Sequence, residues 1–157
     1  MTNLGVKLDD SRLDALMGLR TVHMNFYPNC PNPELTVGVR RHSDICMLTM
    51  LLQDDIGGLY VQRGATSSLG NEQWVEIPPI HGALVINVGD SLQCRHIVQT
   101  RSISSRVSVP LFNAPLPMIK IGSLPELVAR DGFARYRELI YEEYMNHLLE
   151  KGRKKPL

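Results

Sequence analysis

The sequence predicts a mainly β fold with one helix at each end of the chain. The central part of the 157-residue chain contains many short runs that are rich in β-branched residues and bounded by Pro, Gly or Asp, which is typical of strands. Helical spacing of apolar residues occurs only towards the two termini. Many short strands favour two packed sheets, because this arrangement protects strand edges. The predicted architecture is therefore a double-stranded β-helix, or jelly roll.

The elements follow in order along the chain. A short first helix is predicted over 4–17, with Gly18 as its stop signal. Seven strands come next, over 22–27, 37–41, 46–52, 59–62, 74–77, 83–88 and 107–112. The segment 54–58 is predicted to be a turn, and 63–73 a surface loop. The last predicted helix has apolar residues three or four positions apart, at Phe133, Tyr136, Ile140, Tyr144 and Leu148.

Composition excludes several classes of protein. A net charge of +1 argues against a dedicated nucleic-acid or membrane-surface binder. No segment reaches the roughly 18 apolar residues of a membrane span, and no signal-peptide pattern is visible. The three cysteines, Cys30, Cys46 and Cys94, lack metal-type spacing. Reduced thiols and a cytoplasmic location are therefore expected.

Two short patterns indicate chemistry. His42-Ser43-Asp44 combined with the distant His96 supplies two imidazoles and one carboxylate, which is the protein ligand set of a non-haem Fe(II) site. Residues two apart in a strand point the same way, so His42 and Asp44 can reach one metal, and Arg106 and Ser108 one carboxylate. A lone His, Asp or Arg is more often an ordinary surface residue. Arg106, however, precedes an apolar run, where burial without an anionic partner would be costly.

These residues and several neighbouring segments resemble one family, the plant 2-oxoglutarate- and Fe(II)-dependent dioxygenases. The similarity extends from about Thr21 to Lys151, and the chain looks most like the feruloyl-CoA ortho-hydroxylases and benzoxazinoid-glucoside dioxygenases. The matching segments are 25–31, 41–44, 51–59, 82–90 and 106–110.

The resemblance implies a set of ligands and side chains. The implied cofactors are Fe(II), 2-oxoglutarate as co-substrate and ascorbate as reductant; O₂ and a small aromatic metabolite are the other partners. The implied metal ligands are His42, Asp44 and His96, and no further catalytic side chain is implied. The implied contacts to 2-oxoglutarate are Arg106, Ser108, Tyr27 and Asn25, although Tyr27 could also be a core residue. Phe112 is left open between a substrate-stacking and a core role. The implied reaction oxidises the substrate by hydroxylation while 2-oxoglutarate becomes succinate and CO₂.

The chain also departs from the family pattern. Three regions are predicted: a remnant of a helical N-terminal region over 1–20, the jelly-roll domain over 21–125, and a C-terminal helix with a basic tail over 126–157. The segment between Asp90 and His96 is shorter than in relatives by roughly nine residues, about one strand. A missing strand would leave unpaired backbone groups. The alternative interpretation is therefore a truncated, catalytically impaired remnant or incomplete gene model. Substrate identity and oligomeric state stay open.

Overall fold

A computed structural model describes residues 9–63, 73–89, 96–99 and 104–153 of the chain, with backbone alone at 63, 96–99 and 151–153. Several predictions lie outside these residues: the start of the first helix, most of the 63–73 loop, Cys94, the segment 90–95 and the end of the basic tail. The chain forms two compact units, one of residues 20–113 and one of residues 1–19 with 114–157. The predicted three-way division stays a prediction.

The unit of residues 20–113 consists of two antiparallel sheets. Its strands are β1 (Leu19–Val22), β2 (Asn25–Tyr27), β3 (Val37–His42), β4 (Leu48–Gln53), β5 (Leu59–Arg63), β6 (Gln73–Ile77), β7 (Leu84–Val88), β8 (His96–Gln99) and β9 (Arg106–Ala114). The first sheet has the order β1-β9-β4-β7, with β2 also paired to β9, and the second has the order β3-β8-β5-β6. The chain passes from one sheet to the other at most connections, so the jelly-roll prediction is confirmed.

The core of this unit lies on the inner faces of the strands. Tyr27 and Leu59 are buried, at 9% and 4% exposure. Partly buried side chains from both sheets pack against them: Val39, Leu51, Ile77 and Val85. Alternation along each strand sends every second residue to this face, which is how the sequence pattern determines the core.

The predicted turn at 54–58 is confirmed. It joins β4 to β5, and the carboxylate of Asp54 accepts the N–H of Ile56 at 3.2 Å. Gly57 and Gly58 have φ values of 80° and 90°, in the region that a side chain disfavours. Glycine at both positions therefore lets β5 follow directly after a tight reversal.

Two details of the sheets differ from the predictions. The strand predicted over 22–27 is two strands, because the chain is interrupted at His23 and Met24. A strand not predicted by the sequence, β8, begins at His96 and pairs with both β3 and β5. The expectation of unpaired backbone groups concerns the segment before His96, which lies outside the described residues, so it stays a prediction.

The other unit contains three helices and a small sheet: α1 (Asp10–Met17), β10 (Lys120–Ile121), α2 (Pro125–Asp131), β11 (Leu139–Ile140) and α3 (Tyr141–Arg153). The carboxylate of Asp9 caps α1 by accepting the N–H of Arg12 at 2.8 Å. Strands β10 and β11 pair antiparallel. None of the helices in the described part of the chain is long and apolar enough to cross a membrane.

The predicted C-terminal helix is correct only in its second half. Tyr144 lies in α3, but Phe133 and Tyr136 precede it and are 58% and 62% exposed. Gly132 ends α2 with a φ of 80°, and its N–H donates to the carbonyl of Val128. The apolar spacing from 133 onwards therefore runs through a non-helical connection and β11 before α3 begins, so it does not mark one continuous helical face.

Candidate active site

The end of β3 brings His42 and Asp44 together, as the sequence predicts. His42 Nε2 lies 3.7 Å from Asp44 Oδ1. His42 Nδ1 lies 2.7 Å from the carbonyl oxygen of Arg40, and because a carbonyl only accepts, Nδ1 carries the proton. The lone pair of the neutral ring is therefore on Nε2, the nitrogen near Asp44. A histidine must be in this tautomer to bind a metal ion through Nε2.

The carboxylate of Asp44 is buried and oriented by two donors. Its exposure is 8%, and its Oδ2 accepts the Thr49 hydroxyl at 2.5 Å and the Asn87 amide at 3.2 Å. Oδ1 faces His42. Thr49 and Asn87 are Cα partners on β4 and β7, and neither was singled out by sequence. Strand pairing places Thr49 and Asn87 side by side on the inner face of the first sheet, and the sequence alone does not show this. Such outer partners fix the orientation of a metal-binding carboxylate.

Close backbone packing supports the loop that carries Asp44. Gly89, which follows β7, donates its N–H to the carbonyl of Met47 at 3.1 Å. A Cβ atom at Gly89 would lie 1.7 Å from the carbonyl oxygen of Cys46 and 2.8 Å from that of Asp44. Burial raises the pKa of the Cys46 thiol, whose sulfur lies 3.1 Å from the Thr49 hydroxyl. Cys46 therefore contacts the site as a neutral packing residue.

The third predicted metal ligand, His96, is placed by backbone register. It is the Cα partner of His42 across the β3–β8 pair. Its side chain is outside the described set. Among the side chains that the structure describes, no group of three or more His, Cys, Asp or Glu could hold a metal ion. The described part of the predicted metal site thus consists of the His42–Asp44 pair.

Arg106 and Tyr27 lie directly opposite each other on β9 and β2. Arg106 is 3% exposed, and its Cζ lies 5.3 Å from the centre of the Tyr27 ring. Burial lowers the pKa of the Arg106 guanidinium, while nearby Tyr27 and Asp54 act to raise it. An arginine remains charged under these conditions because the ordinary pKa of a guanidinium lies far above neutral pH. The inner face therefore holds a buried cation.

Three further polar residues surround Arg106. Ser108 is opposite Asn25 on one side and opposite Gln53 on β4 on the other. Arg106 Nη2 donates to Gln53 Oε1 at 3.0 Å. We call these five residues the carboxylate cradle: Asn25, Tyr27, Gln53, Arg106 and Ser108. Gln53 was not predicted to take part; its place on the inner face beside Ser108 follows from strand register.

The carboxylate cradle contains buried donors without acceptors. Among the described residues, Arg106 Nε, Arg106 Nη1 and Gln53 Nε2 have no hydrogen-bond partner. Unpaired buried donors are rare, and each costs about 1–3 kcal/mol, more for charged groups. A carboxylate has the charge and the lone pairs to satisfy them. The distal carboxylate of 2-oxoglutarate fits this donor set, and the His42–Asp44 pair fits a divalent metal.

Phe112 lies on the same face of β9 as Arg106 and Ser108. Its Cα partner on β4 is Thr49, and its ring meets the edge of the His23 ring at 5.2 Å between centroids. A position near the site and a packing role are both compatible with this geometry. An open cavity of about 660 Å³ borders the cradle residues Asn25 and Tyr27 and reaches β3 at Val37–Val39.

Sequence comparison adds independent information. Residues 18–115 match the family model for the 2OG-Fe(II) oxygenase superfamily. The chain is 56% identical to scopoletin 8-hydroxylase of Arabidopsis thaliana over 94% of its length. It is 46% identical to a feruloyl CoA ortho-hydroxylase of Ipomoea batatas over 93% of its length. In both cases the chain spans 42% of the relative.

Several solved structures share the fold of this chain, and two of them show the extent of the match. One is JOX2 in complex with 2OG, Fe and JA, with a TM-score of 0.78 and 33% identity; the match covers 93% of this chain and 45% of JOX2. Another is the dioxygenase for auxin oxidation of rice, with a TM-score of 0.79 and 28% identity. That match covers 96% of this chain and 52% of the rice protein.

Proposed function

Because the chain belongs to the 2OG-Fe(II) oxygenase superfamily, we propose that it hydroxylates a small aromatic plant metabolite with Fe(II), O₂ and 2-oxoglutarate. The observation that carries this proposal is the carboxylate cradle, with a buried Arg106 at its centre. Among the described residues Gln53 accepts from Arg106 Nη2, but no acceptor is bound to Nε or Nη1. A dicarboxylate co-substrate provides the missing acceptors.

Each proposed side chain has a separate task. His42 Nε2 and Asp44 Oδ1 would hold the Fe(II) ion, with His96 as the third ligand. Arg106, Tyr27 and Ser108 bind and orient the distal carboxylate of 2-oxoglutarate, assisted by Asn25. When bound together, iron and 2-oxoglutarate activate O₂, and 2-oxoglutarate leaves as succinate and CO₂. Ascorbate is the proposed reductant.

The proposed substrate class follows from the relatives. Two of these relatives are named for scopoletin and feruloyl CoA. Both compounds contain an oxygenated aromatic ring. Phe112 on the inner face of β9 offers an aromatic surface on which such a ring can stack. We assign Phe112 to the substrate side of the site on this basis. We also propose a cytoplasmic location, which the free thiols of Cys30 and Cys46 favour.

Ligand binding by purified protein under anaerobic conditions tests the proposal. Trp74 is the single tryptophan of the chain. The centre of its ring lies 5.9 Å from Cζ of Arg41, the residue next to His42. Its fluorescence should therefore respond to Fe(II), and the response should saturate. His42→Ala should abolish this response. Arg106→Lys keeps the charge but loses the planar fork, and should weaken 2-oxoglutarate binding by about tenfold or more.

Matched variants control for general damage. His81→Ala removes a 92% exposed histidine that pairs with Asp55, and should leave Fe(II) binding unchanged. Arg130→Lys alters an exposed arginine in the other unit and should leave 2-oxoglutarate binding unchanged. Equal effects of Arg106→Lys and Arg130→Lys would contradict the assignment.

A second candidate function is a non-catalytic remnant of the family. The segment between Asp90 and His96, which is shorter than in relatives, favours it. A folded chain that binds neither Fe(II) nor 2-oxoglutarate would overturn the enzyme proposal and support the remnant. Binding of both ligands would overturn the remnant.

A further inference from the structure

We propose that Gln53 is a co-substrate-binding residue that also positions Arg106. The proposal rests on the proposed function, because the ligand it invokes is the distal carboxylate of 2-oxoglutarate. Gln53 is the last residue of β4 and lies directly opposite Ser108 of β9. It thus extends the carboxylate cradle to a third strand, beyond the β2 and β9 residues predicted from sequence.

The orientation of the Gln53 amide is determined by Arg106. A guanidinium only donates hydrogen bonds, so the amide oxygen must face Arg106 Nη2, which it does at 3.0 Å. The amide nitrogen then points away from Arg106. This one contact removes Nη2 from the donors available to a ligand and holds the guanidinium plane in place. Nε and Nη1 stay available.

The Gln53 amide nitrogen is itself a buried donor without an acceptor in the structure. Leaving an amide N–H buried and unpaired is unfavourable, as it is for the two unpaired nitrogens of Arg106. All three donors belong to two hydrogen-bonded side chains. We infer that Gln53 Nε2 donates to the same carboxylate that Arg106 binds, so that one anion satisfies all three.

Two substitutions separate the roles of the amide oxygen and the amide nitrogen. Gln53→Leu removes both, and should weaken 2-oxoglutarate binding to the Fe(II)-loaded protein by about tenfold or more. Gln53→Glu keeps an acceptor for Arg106, but replaces the donor with a negative charge that competes with the ligand. It should weaken binding at least as strongly, and since it is isosteric it also serves if Gln53→Leu fails to fold.

Anaerobic calorimetry with two ligands makes the test specific. Both 2-oxoglutarate and 2-oxobutyrate have a carboxylate next to a keto group. Only 2-oxoglutarate also has the distal carboxylate. Both variants should bind Fe(II) and 2-oxobutyrate as the unchanged protein does, and lose affinity only for 2-oxoglutarate. Gln62→Leu, the same change on β5 opposite Trp74, is the matched control and should change neither affinity.

The outcomes distinguish this inference from the proposed function. If the unchanged protein fails to bind 2-oxoglutarate, the proposed function fails, and the role of Gln53 with it. If the unchanged protein binds 2-oxoglutarate and both Gln53 variants bind it equally well, only the inference about Gln53 fails. Equal losses for 2-oxoglutarate and 2-oxobutyrate would also overturn it, because they would indicate general damage to the site.

Discussion

Gly89 determines how closely β7 approaches the loop that carries Asp44. No side chain fits there, because a Cβ would overlap the backbone of Cys46. The same loop supplies the carboxylate that Thr49 and Asn87 orient. The geometry of the candidate metal site therefore depends on a residue that binds nothing itself. Its role is to permit contact between two backbones.

We expect Gly89→Ala to abolish Fe(II) binding and to lower the free energy of unfolding by about 1–3 kcal/mol, the usual cost of overpacking a filled site. The reason is displacement of the 44–46 backbone. Denaturant unfolding and Trp74 fluorescence titration measure the two effects. Gly82→Ala is the control: Gly82, unlike Gly89, has a positive φ, but a Cβ there would meet no atom within 4 Å, so Fe(II) binding should be retained. Retained Fe(II) binding in Gly89→Ala would contradict the expectation.

The candidate site could be predicted in part from sequence. His42 and Asp44, and likewise Arg106 and Ser108, lie two residues apart, and local spacing was enough to pair them. Gln53, Thr49 and Asn87 were missed because their roles depend on cross-strand register. Register is determined by long-range pairing, which no local pattern contains. For these three the polar residue type in an apolar strand was the only signal.

At the scale of elements, the end of α2 illustrates a local rule that overrides apolar spacing. Gly132 adopts the left-handed conformation and closes the last turn through its N–H to Val128. The seven-residue helix α2 therefore ends at Asp131, just before Phe133, where apolar spacing predicts that a longer helix begins. Apolar periodicity identified α3, but could not detect the short β10–β11 pair, whose two-residue strands are too short for any period.

Gly132→Ala should lower the free energy of unfolding by about 1 kcal/mol, because alanine is strained at a φ of 80°. No steric term adds to this value, since a Cβ there would meet nothing within 4 Å. Gly132→Asn should recover part of the loss, because asparagine tolerates this conformation better. Thermal and denaturant unfolding provide the measurement. Equal stability of the alanine variant and the unchanged protein would contradict the assignment.

At the scale of the whole molecule, the first sheet exposes apolar side chains on its outer face. Alternation places Phe26 opposite Val107, and Leu52 opposite Leu84, on the face away from the core. Ile86 on β7 continues this face and is 60% exposed, and Phe26 is 66% exposed. Contiguous apolar surface of this kind on a monomer usually marks an interaction site or a tendency to associate. Sequence alternation predicts which residues share this outer face, but it does not reveal whether the face is covered.

We expect the isolated chain to self-associate as its concentration rises, through the outer face of the first sheet. Ile86→Lys should reduce this association, because it places a charge in the apolar face on an edge strand. Analytical ultracentrifugation over a range of concentrations measures the effect. Ile80→Lys, at a 72% exposed isoleucine outside the strands, is the control and should change nothing. A chain that stays monomeric at all concentrations would contradict the expectation.

The carboxylate cradle also has a consequence for the order in which the protein is made. Asn25 and Tyr27 come from β2, whereas Arg106 and Ser108 come from β9, the last strand to join the first sheet. Pairing strands so distant along the chain is slow, because the intervening loop must close first. A growing chain therefore has no cradle until β9 has left the ribosome. A dicarboxylate that binds there would stabilise only chains in which β9 has joined the sheet, and would draw the folding equilibrium towards them.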